Sequence, residues 1–163
     1  MSDGPVVCNS SPLIALSHIG EIEILKSLFG EVLVPPAVVA ESVSASPLPE
    51  WVLRRDLTSA VAVELLHPAL GRGESEAICL AAESKARLVL LDDRPARRHA
   101  QALGLPVMGT LGILLAAKRR GLVPAVRSLL EALVAHGFRV APRLLKSVLA
   151  DAGEALPSDS DPA

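Results

Sequence analysis

Polar and acidic side chains recur where apolar stretches of this chain end, and their types suit metal-assisted chemistry. The side chains concerned are Asn9, Ser11, Glu41, Glu74, Glu76, Asp92 and Asp93. Asn9 directly follows the apolar run Val6–Cys8. Asp92 directly follows a second apolar run, Leu88–Leu91. If both runs are parallel strands of one sheet, their carboxyl ends lie at the same edge, where ligands of such sheets bind. The sequence therefore predicts an acidic cluster at that edge.

Oxygen-rich clusters of this kind suit Mg²⁺ or Mn²⁺, which prefer carboxylate, carbonyl and water oxygens as ligands. A divalent cation can lower the pKa of a bound water and offset the negative charge of a phosphodiester. Glu74 and Glu76 are two positions apart, so on a regular helix they point about 200° away from each other. Both can face one ion only if the helix starts irregularly, and we favour Glu76 as the ligand.

The sequence lacks the residues that several other kinds of active site need. No His and Cys residues have the spacing of a zinc site, and there is no Ser-His-Asp arrangement. The segment Gly71–Gly73 lacks the further glycine and the lysine of a phosphate-binding loop. Cys8 and Cys79 lie in apolar segments, so we expect buried free thiols, consistent with a reducing cytoplasm.

Each acidic or amide side chain also has a purely structural interpretation when it is taken alone. Asp92 or Asp93 would cap a helix N-terminus, as would the serine at position 11. Glu74 in a first helical turn would interact favourably with the helix dipole. Glu41 would be a solvated surface carboxylate, and Asn9 a turn residue that accepts backbone hydrogen bonds. Residue spacing alone does not decide between these roles and metal binding.

The elements that would position these side chains alternate between short apolar runs and longer amphipathic segments. Strands are predicted at Val6–Cys8, Val32–Val34, Leu88–Leu91 and Pro106–Met108. Helices are predicted on both sides of Gly20 and over about 36–42, 74–86, 94–103, 110–120, 125–136 and 142–152. This alternation predicts an α/β fold, an open and mostly parallel sheet with helices on both faces.

Three further segments complete the predicted domain organisation. Val61–Leu65 is favoured as a strand, although a helix also fits its pattern, and 44–49 is a Ser- and Pro-rich loop. Residues 1–154 are expected to form a single domain, with a core at about 6–109 and a C-terminal helical extension at about 110–154. The polar tail, 155–163, is expected to be disordered.

The bulk composition restricts the class of protein. A chain of 163 residues is about one domain long, and with one Trp, two Phe and no Tyr its core must be aliphatic. A net charge of −2 argues against a protein that coats nucleic acid, but it allows a small RNA-contacting patch. The N-terminus shows no signal peptide and no apolar stretch is long enough to span a bilayer, so we expect a cytoplasmic protein without membrane contact.

At the polar positions the sequence resembles the PIN-domain family. Val6–Ile14 looks like the family's first strand followed by an Asp-x-Ser-x-Leu-Ile turn, with Asn9 in place of the Asp. Val38–Glu41 is similar to the second acidic position, Gly73–Ile78 to the third, and Leu90–Arg94 to the fourth. The match runs from about 6 to 109. The segment from Gly109 onward resembles one PIN-like branch often found as the toxin half of prokaryotic toxin–antitoxin pairs.

The resemblance implies a three-layer α/β/α sandwich and an Mg²⁺- or Mn²⁺-dependent endoribonuclease. It implies that Glu41, Glu76 and Asp93 are metal ligands and that Asn9 takes the place of the first acidic ligand. Further roles implied are support by Ser11, additional ligation by Asp92 and Glu74, and RNA binding by Arg94, Arg97 and Arg98. The expected partners are an RNA substrate, a cognate antitoxin and a second copy of the chain.

Asn9 leaves two further functions open beside the active ribonuclease. An amide oxygen can ligate a cation but brings no negative charge, so metal binding should be weaker than with Asp. The alternatives are a catalytically impaired PIN-like module that binds RNA or a protein partner, and a homo-oligomeric α/β protein of unrelated role.

Overall fold

Short strands and helices alternate along the chain, as the hydrophobic pattern predicts. The structure, a computed structural model, describes residues 3–43 and 47–155. The first half contains β1 (Val6–Cys8), α1 (Ser10–His18), α2 (Glu23–Phe29), β2 (Val32–Val34), α3 (Pro36–Val43), β3 (Val52–Arg54) and α4 (Ala60–Leu66). The second half contains α5 (Arg72–Ser84), β4 (Leu88–Leu90), α6 (Arg94–Ala102), β5 (Val107–Met108), α7 (Thr110–Arg119), α8 (Arg127–Ala135) and α9 (Pro142–Asp151).

The five strands form one parallel sheet in the order β3-β2-β1-β4-β5. Val7 of β1 pairs with Leu33 on one side and with Val89 on the other. The strand order therefore reverses at the β1–β4 pair, and the side chains that follow these two strands lie at the topological switch point. Asn9 continues the pairing there, since its backbone N–H donates to the carbonyl of Leu90 at 3.0 Å.

Alternate side chains of each strand enter separate cores on the two faces of the sheet. Val6 and Cys8 belong to a core built with helices α1, α2, α3, α7, α8 and α9. Val7 belongs to a second core, built with α4, α5 and α6. The period-two alternation of strand side chains produces this division. The predicted three-layer α/β/α sandwich is confirmed.

The prediction of a strand over Val61–Leu65 is wrong, because this segment lies within helix α4. In a strand, positions 61, 63 and 65 would share one face. Val63 is instead buried, while Val61 and Leu65 are 71% and 77% exposed. On a helix, Val63 lies on the side opposite to Val61 and Leu65, which explains this difference. Ser59 caps the helix by accepting a hydrogen bond from the N–H of Ala62 at 3.4 Å. The third strand is Val52–Arg54, which precedes it.

The remaining predicted elements occur within one to three residues of their expected bounds. Residues 44–46 of the predicted loop, and the predicted tail beyond Ala155, lie outside the described residues. Cys8 and Cys79 are buried free thiols, as expected. No helix within 3–43 or 47–155 combines the length and apolar character that crossing a membrane requires.

Candidate functional site

Asn9 lies at the switch point with its side chain completely buried. It precedes helix α1, but its side chain does not cap that helix. Its amide Nδ2 instead donates to Glu74 Oε1 at 3.3 Å. Its Oδ1 has no hydrogen-bond partner among the described residues. A buried amide oxygen without a partner carries a desolvation cost of about 1–3 kcal/mol, which a ligand at this position would relieve.

Glu41 reaches the same edge of the sheet from helix α3. Its Oε2 accepts a hydrogen bond from Ser10 Oγ at 2.6 Å. A methyl group at position 73 would lie 2.7 Å from both Glu41 carboxylate oxygens, so Gly73 is needed for this close approach. The carboxylate of Glu41 is therefore held against the start of helix α5, which carries Glu74.

Glu76 lies on the other side of helix α5 from Glu74, as the helical spacing requires. It is buried, and its Oε1 accepts from the backbone N–H of Ala37 in the first turn of α3 at 3.2 Å. Its Oε2 accepts from Arg72 Nε at 3.3 Å. The structure therefore places Glu74, and not the favoured Glu76, against Asn9. Glu76 joins α3 to α5, the two helices that carry Glu41 and Glu74.

Asp92 follows β4 and fixes the beginning of helix α7. Its Oδ1 accepts from the backbone N–H of Thr110 at 2.7 Å, and its Oδ2 accepts from Thr110 Oγ1 at 2.7 Å. Beneath it, burial and the nearby Asp92 carboxylate raise the pKa of the Cys8 thiol far above its ordinary value of 9.0. Cys8 is thus a neutral core residue and not a thiolate nucleophile.

Asp93 is the N-cap of helix α6, where it accepts from the N–H of Ala96 at 3.0 Å. Arg97 lies one turn further along that helix. A methyl group at Gly109 would lie 2.8 Å from Arg97 Nη1 and 3.0 Å from Asp92 Oδ1. The absence of a side chain at position 109 therefore leaves room for both of these charged groups next to the backbone there.

A cleft of about 780 Å³ lies at this edge of the sheet. Its polar lining includes Ser11, Glu74, Asp92, Asp93, Arg97 and Arg139. Its apolar lining comes largely from the C-terminal extension and includes Leu111, Leu115, Phe138, Leu144 and Val148. Its volume lies within the range of about 300–1,000 Å³ that is usual for ligand sites. The C-terminal helices therefore form one side of the candidate site.

The predicted site residues are only partly brought together. Ser11, Glu74, Asp92, Asp93 and Arg97 line one cleft, and Asn9 lies buried beside Glu74. Glu41 approaches from α3 through Ser10. Arg94 and Arg98, predicted to bind RNA with Arg97, are exposed on α6 and do not line this cleft. The three residues expected to form the metal core, Glu41, Glu76 and Asp93, are engaged in separate places.

Sequence reasoning missed four residues of the site: Ser10, Thr110, Phe138 and Arg139. Ser10 is adjacent to the predicted Ser11, but only the local path of the chain decides which hydroxyl reaches Glu41. Thr110 is completely buried, and its place directly after Gly109 at a helix start was the available signal. Nothing in the sequence brings Phe138 and Arg139 to this edge, since about 45 residues separate them from Asp92 and only tertiary packing unites them.

A family model described as a PIN domain matches residues 5–154, and the chain belongs to this family. The match includes both the sheet-forming part and the C-terminal helices. Neither a curated protein nor a solved structure gives a significant match to the chain. PIN domains are generally nucleases, and they typically use divalent metal ions.

The donor atoms at the switch point suit such a cation in their chemistry. The Oδ1 of Asn9, which has no partner in the described part of the chain, and the carboxylates along the cleft are oxygen donors of the kind that Mg²⁺ and Mn²⁺ prefer. The carboxylates retain acceptor capacity, since two ionised oxygens together offer about four lone-pair sites. Across residues 3–43 and 47–155, no three His, Cys, Asp or Glu side chains are already grouped as a metal cage. Binding would therefore require these side chains to reorient.

Proposed function

We propose that this PIN domain is a divalent-metal-dependent endoribonuclease that uses the cleft at the switch point. The observation that supports this most directly is the buried Oδ1 of Asn9, which has no hydrogen-bond partner within 3–43 and 47–155, while the Nδ2 of the same amide donates to Glu74. A core amide in that condition is expensive unless a ligand completes its hydrogen bonding or coordination. The family and the carboxylates of the cleft indicate that the ligand is Mg²⁺ or Mn²⁺.

In this proposal Asn9 Oδ1, Glu74 and Asp92 would hold the cation, and Asp93 lines the same cleft. Glu41 would supply a further carboxylate from α3. Glu76 would hold α3 against α5 through its hydrogen bond from the Ala37 N–H. The predicted core of Glu41, Glu76 and Asp93 is thereby shifted toward the residues that line the cleft. When bound, the cation supplies a more acidic water and offsets charge on the phosphodiester.

The protein's own cations would position the RNA. Arg97 is half-buried beside Asp92 and, within the described part of the chain, forms no hydrogen bond or ion pair through its side chain. A guanidinium there can pair with a phosphate oxygen through two parallel hydrogen bonds. Arg139 lines the same cleft, so two positive groups are available there to hold a phosphodiester near the carboxylates.

A cleavage assay with single-stranded and structured RNA in Mn²⁺ tests the proposal. The double variant Glu74→Gln/Asp92→Asn should lose at least about ten-fold in rate, since it removes two negative donors from one site. Glu131→Gln is the matched control, because Glu131 is an exposed carboxylate on α8 outside the cleft. Equal rates for the wild type and the double variant, with both folded by circular dichroism, would sink the enzyme proposal.

The second candidate is a PIN-like module that binds RNA or a protein without cleaving. It is favoured by the amide at position 9. It is also favoured because, within 3–43 and 47–155, no three His, Cys, Asp or Glu side chains form a preformed metal-binding cluster. RNA binding that is unchanged by EDTA, together with no cleavage in Mn²⁺, would support this candidate over the first.

The branch that the sequence resembles supports the further proposal that this protein is the toxin of a toxin–antitoxin pair. It would then act on cellular RNA, bind a cognate antitoxin and form a homodimer. Expression of the wild type should arrest growth of a bacterial host, and the Glu74→Gln/Asp92→Asn variant should not. Sedimentation of the purified chain as a monomer would contradict the dimer.

A further inference from the structure

A second pocket adjoins the candidate active site on the side of the C-terminal extension. It has a volume of about 320 Å³ and lies between helix α1 and the chain that follows α8. Ser11, Asp92, Phe138 and Arg139 line both this pocket and the cleft. A ligand in the second pocket would therefore lie directly beside the proposed reaction centre.

The lining of this pocket combines a flat aromatic surface, aliphatic side chains and one cation. Phe138 contributes the aromatic ring, and Ile14, Ala15 and Leu133 contribute the aliphatic surface. Arg139 is exposed and, among the described residues, makes no side-chain hydrogen bond or ion pair. A purine or pyrimidine attached to a phosphate has the matching chemistry: a flat apolar face to stack and an anion to pair.

Phe138 is held in place by the end of helix α8. Gly137 has φ +92°, a left-handed conformation that L side chains rarely adopt. The Gly137 N–H donates to the carbonyl of Val134 at 3.0 Å, and the Phe138 N–H donates to that of Leu133 at 2.9 Å. These two bonds form a Schellman cap, which sets the direction in which the chain leaves the helix. The backbone at Phe138 is thus fixed by these bonds before any ligand binds.

Two histidines extend the aromatic surface at the rim of the pocket. The rings of His18 and His136 are stacked with centroids 5.6 Å apart and an interplanar angle of 28°. His136 Nδ1 lies 2.9 Å from the carbonyl of Ala132, which can only accept, so Nδ1 carries the proton. The other ring nitrogen of His136 is then an acceptor in the neutral ring and can contact a base edge.

We propose that this pocket binds the RNA nucleotide next to the cleaved phosphate, with its base stacked on Phe138 and its phosphate paired with Arg139. The inference rests on the proposed ribonuclease function and assigns to the C-terminal extension a substrate-binding role. Base stacking is sequence-tolerant, because every base has an aromatic face. The pocket would therefore contribute affinity and position the strand.

Fluorescence anisotropy with a short labelled oligoribonucleotide in EDTA tests this binding without cleavage. Phe138→Leu should weaken binding roughly ten-fold, because it removes the stacking surface but keeps an apolar side chain of similar volume. An oligoribonucleotide of the same length without bases should bind the wild type and Phe138→Leu equally. Arg139→Gln should weaken the binding of both RNAs, because both carry phosphates. Phe29→Leu is the matched control, since Phe29 is the other phenylalanine and lines a cavity at the opposite edge of the sheet.

The outcomes test the pocket proposal independently of the ribonuclease proposal. Equal affinity of the wild type and Phe138→Leu for intact RNA would overturn the pocket proposal, even if the protein cleaves RNA. A ten-fold loss confined to RNA that carries bases would support it, even if no cleavage occurs and the ribonuclease proposal fails. Failure of the wild type to bind either RNA would overturn it and would leave a protein segment as the candidate occupant.

Discussion

Asp92 and Thr110 are joined by two hydrogen bonds of 2.7 Å, which use both oxygens of the aspartate. One bond comes from the backbone N–H of Thr110 and the other from its hydroxyl. Because Asp92 follows β4, the neighbour of the central strand β1, and Thr110 begins α7, this pair attaches the C-terminal extension to the candidate active site. The pair also orients the Asp92 carboxylate that lines the cleft.

Thr110→Val should therefore affect both stability and the site. The variant keeps the side-chain shape but removes a hydrogen bond to a charged group at a completely buried position, which should cost about 1.5–3 kcal/mol. Urea denaturation monitored by circular dichroism measures this. Thr58→Val removes an exposed hydroxyl bond to Glu83 of 2.9 Å and should cost less than about 1 kcal/mol. Equal losses in the two variants would contradict the importance of the Asp92–Thr110 pair.

Asn9→Asp should make stability depend on divalent metal. The new carboxylate would face the Glu74 oxygen that now accepts from the Asn9 amide, so two negative groups would meet in a buried place. We expect a lower melting temperature in EDTA, tighter Mn²⁺ binding by calorimetry, and recovery of the melting temperature in Mn²⁺.

The double variant Asn9→Asp/Glu74→Gln provides the control for that experiment, because it removes the repulsion without restoring the original pair. Its melting temperature in EDTA should exceed that of Asn9→Asp alone. Mn²⁺ binding by Asn9→Asp that is no tighter than in the wild type would argue against a metal at this position.

Arg97→Gln should weaken RNA binding more than Arg98→Gln does. The two arginines are neighbours on α6, but only Arg97 lines the cleft beside Asp92. Loss of one phosphate contact should reduce the salt dependence of binding by about one unit of slope. Filter binding over a range of salt concentrations measures this slope. Indistinguishable effects of the two substitutions would place the RNA outside the cleft.

Glu154 should give the protein a stability that is lost in acid. Burial alone would raise the pKa of Glu154, but bonds from Lys118 and from the N–H groups of Val126 and Arg127 outweigh it and lower the pKa. Its Oε2 accepts from Lys118 Nζ and from the Val126 N–H, each at 2.7 Å. The carboxylate thereby satisfies N–H groups at the start of α8, where no side chain of that helix caps it.

Because the folded-state pKa of Glu154 is depressed, its contribution is fully present above the ordinary glutamate pKa of 4.5 and declines as pH falls below it. Glu154→Gln should cost about 1–2 kcal/mol at neutral pH and flatten the acid limb of the stability curve. Urea denaturation at a series of pH values measures both effects. Glu131→Gln should leave the curve as in the wild type.

The strand β3 was not predicted, but the other four strands were predictable from the sequence because they are short apolar runs bounded by glycine, proline or polar residues. Val61–Leu65 was not, because two of its apolar side chains are exposed and its alternation imitates a strand. At the site, the positions that follow β1 and β4 were predictable because parallel strands end at one edge. The choice between Glu74 and Glu76 depends on the rotation of α5 about its axis. The residues at the start of this helix, which begins at Arg72, do not specify that rotation.

The shared walls of the cleft and the second pocket make their occupants thermodynamically linked. Phe138 and Arg139 border both spaces, so a molecule that orders these side chains in one space changes the cost of ordering them for the other. Linkage is reciprocal: whatever one ligand does to the affinity of the second, the second does to the first by the same factor. A protein segment that inserts into the smaller space would therefore act on the larger one without reaching any carboxylate on α3 or α5.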